Sequence, residues 1–202
     1  MGDILSDAVG AAFGAVASAL PRLSVRMSAG GAEGNALLCS SNDLGMPSAS
    51  SSTVNGARRV VVQASEFQDL AISQTVELDG EKRIITGLKN TGEAAFFLDL
   101  SQPLEAVVFV CKVGGRTARE SVMCAVVDDY AHSDTIGSSV HSVSGDSVTV
   151  FIPLEEWNGD EQPNFGTRMV LKGGRKATVQ SVERNEYAWC CQAVVNMMEG
   201  DR

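Results

Sequence analysis

Positive charge is scarce in this sequence: 16 lysines and arginines stand against 25 aspartates and glutamates, a formal net charge of −9. That balance excludes a general affinity for phosphate backbones or anionic lipid, which requires an excess of cationic side chains. The basic clusters are Arg58-Arg59, Lys82-Arg83 and Arg175-Lys176. A local patch that binds nucleic acid or an acidic partner stays open, but charges on the solvent face of a strand explain these clusters more simply.

Cysteines and long apolar runs are also few. The five cysteines are an odd number and two are adjacent, at Cys190-Cys191, which favours buried thiols of a reducing compartment over a disulfide framework. The first residues carry Asp3 and Asp7 instead of the basic start of a secretory signal. The apolar run that follows is too short and too rich in glycine for a membrane span.

No catalytic constellation is visible, so we predict that the protein is not an enzyme, with no catalytic residue and no cofactor. A nucleophile, a base and an orienting group do not occur together in a known arrangement. Asp128, Asp129, His132 and Asp134 offer oxygen and imidazole ligands, but their spacing matches no calcium loop or zinc site. A solvated acidic loop is favoured and no metal site is predicted, although ion binding by these four residues stays open.

Alternation of apolar and polar residues is what the sequence does contain. In the stretch Thr75 to Leu100, Val76 and Leu78 alternate with polar residues, Asp79-Gly80 supplies a turn, and alternation resumes toward Leu100. This pattern predicts a strand, a hairpin and a closing strand.

The same stretch is echoed 93 residues later, from Arg168 to Ala193, without a gap. Val76 falls on Met169, Leu78 on Leu171, Gly80 on Gly173, Lys82-Arg83 on Arg175-Lys176 and Phe96 on Trp189. The inward-facing positions of both copies keep the same phase, and a shift of one residue would turn every core side chain outward. We therefore expect a duplication.

The order of elements repeats as well. Val60–Val62 and Val148–Ile152 are expected to be equivalent strands, and Gly114-Gly115 takes the place of the Gly30-Gly31 turn. Long polar loops are expected at residues 40–56 and 128–144. The predicted fold is all-β, with two tandem small antiparallel β-barrel or sandwich domains after an N-terminal α-helix. The boundaries are 1–21 for the helix, 22–102 for barrel 1 and 103–202 for barrel 2.

The N-terminal segment is amphipathic. Its apolar stripe steps by three or four residues and includes Leu5, Val9, Phe13 and Val16. Many alanines and glycines make such a helix weak by itself, so we expect it to dock on its own domain or on a neighbouring subunit.

The run from Val60 to Leu100 resembles the small β-barrel head–tail joining proteins of long-tailed bacteriophages. Leu78-Asp79-Gly80 fits the apolar-Asp-Gly turn of that family, whereas Ser73-Gln74 stands where the family has Gly-Asp. Ile84 or Ile85 occupies the place of an aromatic. In the second copy, Phe165-Gly166-Thr167 and Lys172-Gly173 fit more loosely. The resemblance covers about forty residues per copy.

This resemblance implies a virion structural protein with no bond chemistry. Such proteins form rings between portal and tail, so we expect a homo-oligomer stabilised partly by Leu5, Val9, Phe13 and Val16. Its partners would be a portal or adaptor protein and tail proteins, with DNA passing through without specific binding and no membrane contact. It would be assembled in the host cytoplasm.

The alternative is a β-barrel binding module for a tail-tip adaptor, a peptide, a glycan or single-stranded nucleic acid. Such a module would use the aromatic residues Phe96, Phe97, Tyr187 and Trp189.

Overall fold

The protein is an all-β structure with a short N-terminal helix. The computed structural model describes residues 11–16, 18–19, 21–39, 58–90, 95–111, 117–129, 147–157, 159 and 161–196. In this part of the chain there are twelve strands: β1 Ser24–Ala29, β2 Ala32–Cys39, β3 Arg58–Gln63, β4 Thr75–Leu78, β5 Glu81–Asn90, β6 Ala95–Ser101, β7 Leu104–Cys111, β8 Thr117–Asp129, β9 Ser147–Pro153, β10 Arg168–Val170, β11 Lys176–Arg184 and β12 Ala188–Asn196.

The strands close into two antiparallel barrels of six strands each. Barrel 1 has the order β1-β2-β3-β6-β5-β4, and barrel 2 has the order β7-β8-β9-β12-β11-β10. The chain divides into two compact units, Met1–Pro103 and Leu104–Arg202. Closure leaves no free sheet edge, so each barrel satisfies its own ladder of backbone hydrogen bonds. The predicted fold class is confirmed.

Each strand of barrel 1 has a counterpart in barrel 2 with the same neighbours. Val62 pairs with Phe96 in barrel 1 as Ile152 pairs with Trp189 in barrel 2. Both barrels also carry a β-bulge in the long hairpin strand, between Ile85 and Gly87 in β5 and between Val179 and Ser181 in β11. Strand order, pairing register and bulge position are therefore repeated in the two barrels.

The expected gapless repeat is wrong by one residue over part of its length. Between the paired residues Glu77 and Lys82 lie four residues, whereas five lie between Val170 and Lys176. The next connection of barrel 2 is one residue shorter, which restores the spacing of 93 at Phe96 and Trp189. Arg83 is consequently equivalent to Ala177, and Lys82-Arg83 does not correspond to Arg175-Lys176.

Two hairpins of barrel 1 have the turns that their sequences predict. Gly30 and Gly31 have φ of 57° and 89°, and Asp79 and Gly80 have φ of 54° and 79°. Positive φ at both central residues is the geometry of the type I′ turn, whose twist matches that of the flanking strands. Gly114-Gly115, expected to form the corresponding turn of barrel 2, lies outside the described residues.

Gly34 lies inside a strand, although glycine is uncommon in strand interiors. Strand β2 continues through it. A Cβ at this position would lie 2.2 Å from Glu66 Oε2 and 2.9 Å from Phe67 Cε2. The glycine is thus required because the β3–β4 connection packs against the strand, and the buried Phe67 side chain occupies the space.

Each barrel is filled by its own side chains. The core of barrel 1 consists of Met27, Ala29, Ala36, Val60, Val62, Phe67, Val76, Leu78, Ile85, Leu98 and Leu100. The core of barrel 2 includes Val108, Val122, Cys124, Val150, Ile152, Met169, Val179, Trp189 and Cys191. The inward positions alternate along the strands, as the period of two requires. Both domains are therefore small packed bodies with separate hydrophobic cores.

Residues 11–16 and 18–19 are helical. None of the helices among the described residues is long and apolar enough to cross a membrane. The expected long loop 40–56 lies wholly outside the described residues.

Candidate functional site

The interior of barrel 2 holds two buried thiols. Cys124 and Cys191 are fully buried in the core, and burial raises the pKa of each thiol to about 12. A cysteine with this pKa is almost entirely protonated at neutral pH, and the protonated thiol is a poor nucleophile and metal ligand. The expectation of buried thiols is confirmed for these two cysteines.

The basic clusters do not all lie on solvent faces, which corrects the simpler explanation given above. Arg59 is buried on the outer side of β3 and donates two hydrogen bonds to Asp99, from Nε to Oδ1 at 2.7 Å and from Nη2 to Oδ2 at 3.1 Å. Those bonds raise the pKa of Arg59, against the opposing effect of burial. Gly87 makes room for the carboxylate, because a Cβ there would lie 2.9 Å from Asp99 Oδ2.

The second buried arginine is Arg83. It pairs across the sheet with the core residue Val76, and its Nη2 donates to Glu81 Oε2 at 2.7 Å. Its position is therefore internal to barrel 1, where the equivalent residue of barrel 2 is Ala177. Arg59 and Arg83 are therefore expected to affect the stability of barrel 1. Burial keeps both guanidinium groups from direct contact with a large partner.

Of the four residues considered as possible ion ligands, the structure describes the backbone of Asp128 and Asp129. Asp128 and Asp129 belong to β8, where they pair with Val148 and Ser147, and the loop does not begin at Asp128 as expected. His132 and Asp134 lie outside the described residues. Within the described part of the chain no cluster of three histidine, cysteine or acidic side chains could hold a metal ion.

Two of the four predicted oligomer-interface residues are described. Phe13 is buried, whereas Val16 is 43% exposed. Leu5 and Val9 lie outside the described residues. Ser18 Oγ donates to the carbonyl of Gly14 at 2.8 Å, one turn earlier in the helix. The interface prediction stays a prediction.

The aromatic side chains considered for a binding groove serve mainly as core. Trp189 lies in the core of barrel 2 and Phe96 packs against that of barrel 1. Phe97 and Tyr187 are half-buried. The Arg184 guanidinium lies over the Trp189 ring, 5.2 Å from its centroid, in a cation–π contact.

A pair of equivalent turns presents apolar side chains to solvent. Ile72 is 44% exposed and Phe165 is 76% exposed, and they occupy the same place, 93 residues apart, just before β4 and β10. The residues after them, Ser73 and Gly166, have φ of 75° and 84°. A positive φ at the third residue only is typical of a type II turn. The exposed residue is the second residue of each turn.

Both turns are held rigidly by the same hydrogen bonds. In barrel 2, Thr167 donates its amide to the carbonyl of Asn164 at 3.0 Å, and its Oγ1 accepts from the Asn164 amide at 2.9 Å. In barrel 1, Gln74 donates its amide to the carbonyl of Ala71 at 3.3 Å, and its Oε1 accepts from the Ala71 amide at 3.2 Å. A buried polar side chain therefore clamps each turn from below.

Each clamped turn is also tied to the neighbouring strand. Ser73 donates its amide to the carbonyl of Ile85 at 2.7 Å, and Gly166 donates to the carbonyl of Val179 at 2.9 Å. The return bonds run from Ile85 to Gln74 at 3.0 Å and from Val179 to Thr167 at 2.9 Å. The backbone at Ile72 and Phe165 is thus fixed, which reduces the backbone conformational entropy lost on contact with a partner.

The strands that follow these turns differ in the charge of their outer residues. The outer positions of β4 and its turn hold Thr75, Glu77 and Asp79, and the equivalent positions of barrel 2 hold Arg168, Val170 and Lys172. We name the exposed set Ile72, Glu77, Asp79 and Lys82 the β4 surface. The exposed set Phe165, Arg168, Lys172 and Lys176 is named the β10 surface. Among the described residues, Arg168, Lys172 and Lys176 form no salt bridge.

Sequence reasoning missed Ile72 and Phe165, because an apolar residue beside a strand is usually a core residue. The signal that could have found them is their spacing of 93, shared with Gly80 and Gly173, together with the Gly-Asp-like pairs Ser73-Gln74 and Gly166-Thr167 that follow them.

Comparison with known proteins gives little. No family model matches the chain, and no curated protein matches it. Among solved structures, the Inhibitor of motility (MotI/DgrA) of Bacillus subtilis is similar over 88% of each chain, at 10% identity and a TM-score of 0.23.

Proposed function

We propose that this protein is a structural component of a bacteriophage virion that forms a homo-oligomeric ring at the head–tail joint. The ring lies between a portal or adaptor protein and the tail, and it assembles in the host cytoplasm before it becomes part of the virion. The protein performs no bond chemistry and needs no cofactor. Its role is to join neighbours and to let DNA pass.

The observation that carries the proposal is the pair of closed barrels with one topology and filled interiors. Side chains such as Met27 and Met169 occupy the barrel axis, so the barrels are rigid bodies and not ligand chambers. Rigid bodies with apolar residues fixed on clamped turns suit a part that acts by contact with other proteins.

The local resemblance to the joining proteins also has a physical basis. The Leu78-Asp79-Gly80 segment forms the tight turn that the family pattern requires. Ser73, at the place of the family's glycine, has the positive φ that glycine adopts most readily. Gln74, at the place of the aspartate, accepts a hydrogen bond from the Ala71 amide.

The acidic balance supports transit of DNA without binding. A net charge of −9 repels phosphate, so a channel lined by this protein would not hold the genome by non-specific attraction. The basic side chains Arg59 and Arg83 are buried and paired with carboxylates, which withdraws their charge from any channel wall.

The test is electron microscopy of the purified full-length protein, alone and mixed with the portal and tail proteins of the same phage. We expect rings of uniform diameter that bind end-on to the portal assembly. A fluorescence titration with single-stranded oligonucleotide at low salt is the companion measurement. A monomer that binds neither portal nor tail would contradict the ring. A monomer that binds the oligonucleotide tightly would also contradict it and would favour the binding-module alternative.

A further inference from the structure

We infer that the β4 surface of one copy of this chain docks on the β10 surface of a second copy, so that subunits join head to tail through unlike barrels. This inference rests on the proposed ring and specifies which residues make the contact between subunits. The occupant of each surface is thus the other surface of an identical chain.

Exposure is the first argument. Ile72 and Phe165 are large apolar side chains that remain accessible in the complete chain, at 44% and 76% of their surface. Each clamped turn uses the hydrogen-bonding groups of a buried polar side chain. The turn of barrel 1 also requires a positive φ at Ser73, a conformation that serine rarely adopts. Because a clamped turn with an exposed apolar residue occurs at equivalent places in both barrels, we infer that both turns contact a partner.

The charges of the β4 and β10 surfaces favour one partner for each surface. Glu77 and Asp79 on the β4 surface carry two negative charges, and Lys82, across the hairpin from Glu77, offsets one of them. Arg168, Lys172 and Lys176 give the β10 surface three positive charges, and the exposed Glu105 of β7, two residues from Val107, which pairs with Val170, offsets one of them. Unlike surfaces attract and like surfaces repel, so the contact that charge favours is β4 to β10.

The same argument disfavours the other assemblies. A two-fold contact whose axis passes through the β10 surface would place that surface against its own copy, with three cations on each side. A nucleic acid would suit the β10 surface but not the β4 surface, where the same apolar turn is followed by acidic residues. A head-to-tail contact uses both turns, leaves neither Ile72 nor Phe165 uncovered, and generates a ring when its rotation closes.

Charge reversal tests the pairing. The first variant carries Glu77→Lys and Asp79→Asn, the second carries Arg168→Glu, Lys172→Glu and Lys176→Glu, and the third carries all five substitutions. The asparagine is chosen because Asp79 has a positive φ that asparagine tolerates. In the first variant both surfaces are basic, in the second both are acidic, and in the third the two surfaces are again opposite in sign. All positions are exposed, so the fold is retained.

Sedimentation velocity of the full chain at about 0.1 M salt measures self-association, with circular dichroism as the check on folding. We expect the first two variants to dissociate at concentrations on the order of tenfold higher than the wild type, and the third to return to the wild-type value. Phe165→Ala should also weaken association by on the order of tenfold, because it removes the most exposed apolar anchor. Lys89→Glu and Glu183→Lys, on other exposed strand positions, are controls that leave assembly unchanged.

The outcomes separate this inference from the proposed function. Rings that form equally well in the first two variants, or a third variant that stays dissociated, would overturn the pairing and leave the ring intact. A wild-type protein that is monomeric throughout would overturn both. If the second variant loses binding to a labelled single-stranded oligonucleotide while self-association is unchanged, the β10 surface is a nucleic-acid site and the pairing is wrong.

Discussion

At the scale of single residues, barrel 1 depends on charges that barrel 2 does without. The Arg59–Asp99 pair occupies the row in which barrel 2 has Thr149 and Gln192. Ser181 Oγ donates to Gln192 Oε1 at 3.0 Å in barrel 2, where barrel 1 has Gly87 beside Asp99. The same position in the fold is therefore satisfied once by an ion pair and once by neutral hydrogen bonds.

This comparison makes a prediction for Asp99→Asn. The substitution removes the negative partner of a buried guanidinium, and we expect it to lower the free energy of unfolding by about 1–3 kcal/mol. The double variant Arg59→Thr with Asp99→Gln places the uncharged residues of barrel 2 in this row and leaves no buried unpaired charge, so it should lose less than Asp99→Asn alone. Urea unfolding measures both. A double variant that loses more than the single variant would show that the charges themselves are needed.

The two buried thiols of barrel 2 predict a loss of stability in alkali. Because the pKa of Cys124 and Cys191 rises from 9.0 to about 12 on folding, their contribution is fully present below pH 9 and is lost as the pH rises toward 12. Between these values the free energy of unfolding should fall by up to about 1.4 kcal/mol per pH unit for each thiol.

Urea unfolding at several values between pH 8 and 11 measures this slope, with the Cys124→Ala, Cys191→Ala double variant as the control. The variant lacks both titrating groups, so its free energy of unfolding should decline less steeply than that of the wild type. Parallel curves would mean that the thiols titrate alike in the folded and unfolded chains.

At the scale of elements, the clamped turns set the position of the exposed apolar residues. Gly166 has a φ of 84° and open space around its Cβ position, so a side chain there meets no neighbour and suffers only from its backbone conformation. We expect Gly166→Ala to destabilise barrel 2 by about 1–2 kcal/mol. Gly166→Asn is the matched control and should cost less, because asparagine tolerates this region. Thermal unfolding compares them, and equal costs would count against a strained turn.

The N-terminal helix carries a separate prediction. Deletion of residues 2–20 removes Phe13 and Val16 together with the rest of the apolar stripe. If the stripe packs on a neighbouring subunit, the truncated protein keeps its β-sheet circular dichroism but assembles more weakly in sedimentation velocity. Full rings at wild-type concentrations would contradict a role for the helix in assembly.

The sequence patterns predicted the strands, but they did not predict the residues that depart from those patterns. The alternation around Val76 and Leu78 identified β4 and its partners because a half-buried strand has a period of two. It could not reveal that Gly34 lies within a strand, since the cause is Phe67, more than thirty residues away. Nor could it reveal that Arg59 is buried, because the partner Asp99 comes from β6. Such features depend on contacts between distant segments.

The β4 surface and the β10 surface could not be recognised from the sequence for a related reason. Phe165 looks like a core residue in sequence, and only the hydrogen bonds of Thr167 show that the turn holds it outward. The sign reversal between Asp79 and Lys172 is visible in the sequence, but it acquires meaning only when the two barrels are known to share one register. The pairing across β10 and β11 fixes that register.

At the scale of the whole molecule, the chain is one barrel design used twice with different surfaces. Both interiors fill a six-stranded barrel, whereas the outer residues differ in charge: Lys172 of barrel 2 stands in the place of Asp79, and Val170 in the place of Glu77. A duplicated subunit with complementary surfaces can bind its own copies through unlike halves, and one with identical surfaces cannot. Assembly should therefore weaken as salt screens the charges around the apolar contacts.

The most direct test is native mass spectrometry of the full-length protein, whose chain mass is 21.3 kDa. A ring built from head-to-tail contacts predicts one dominant species at a fixed multiple of that mass, stable over a range of concentrations because closure satisfies every subunit. A single peak at 21.3 kDa at every concentration would contradict the account, and so would an open-ended ladder of masses without a preferred number.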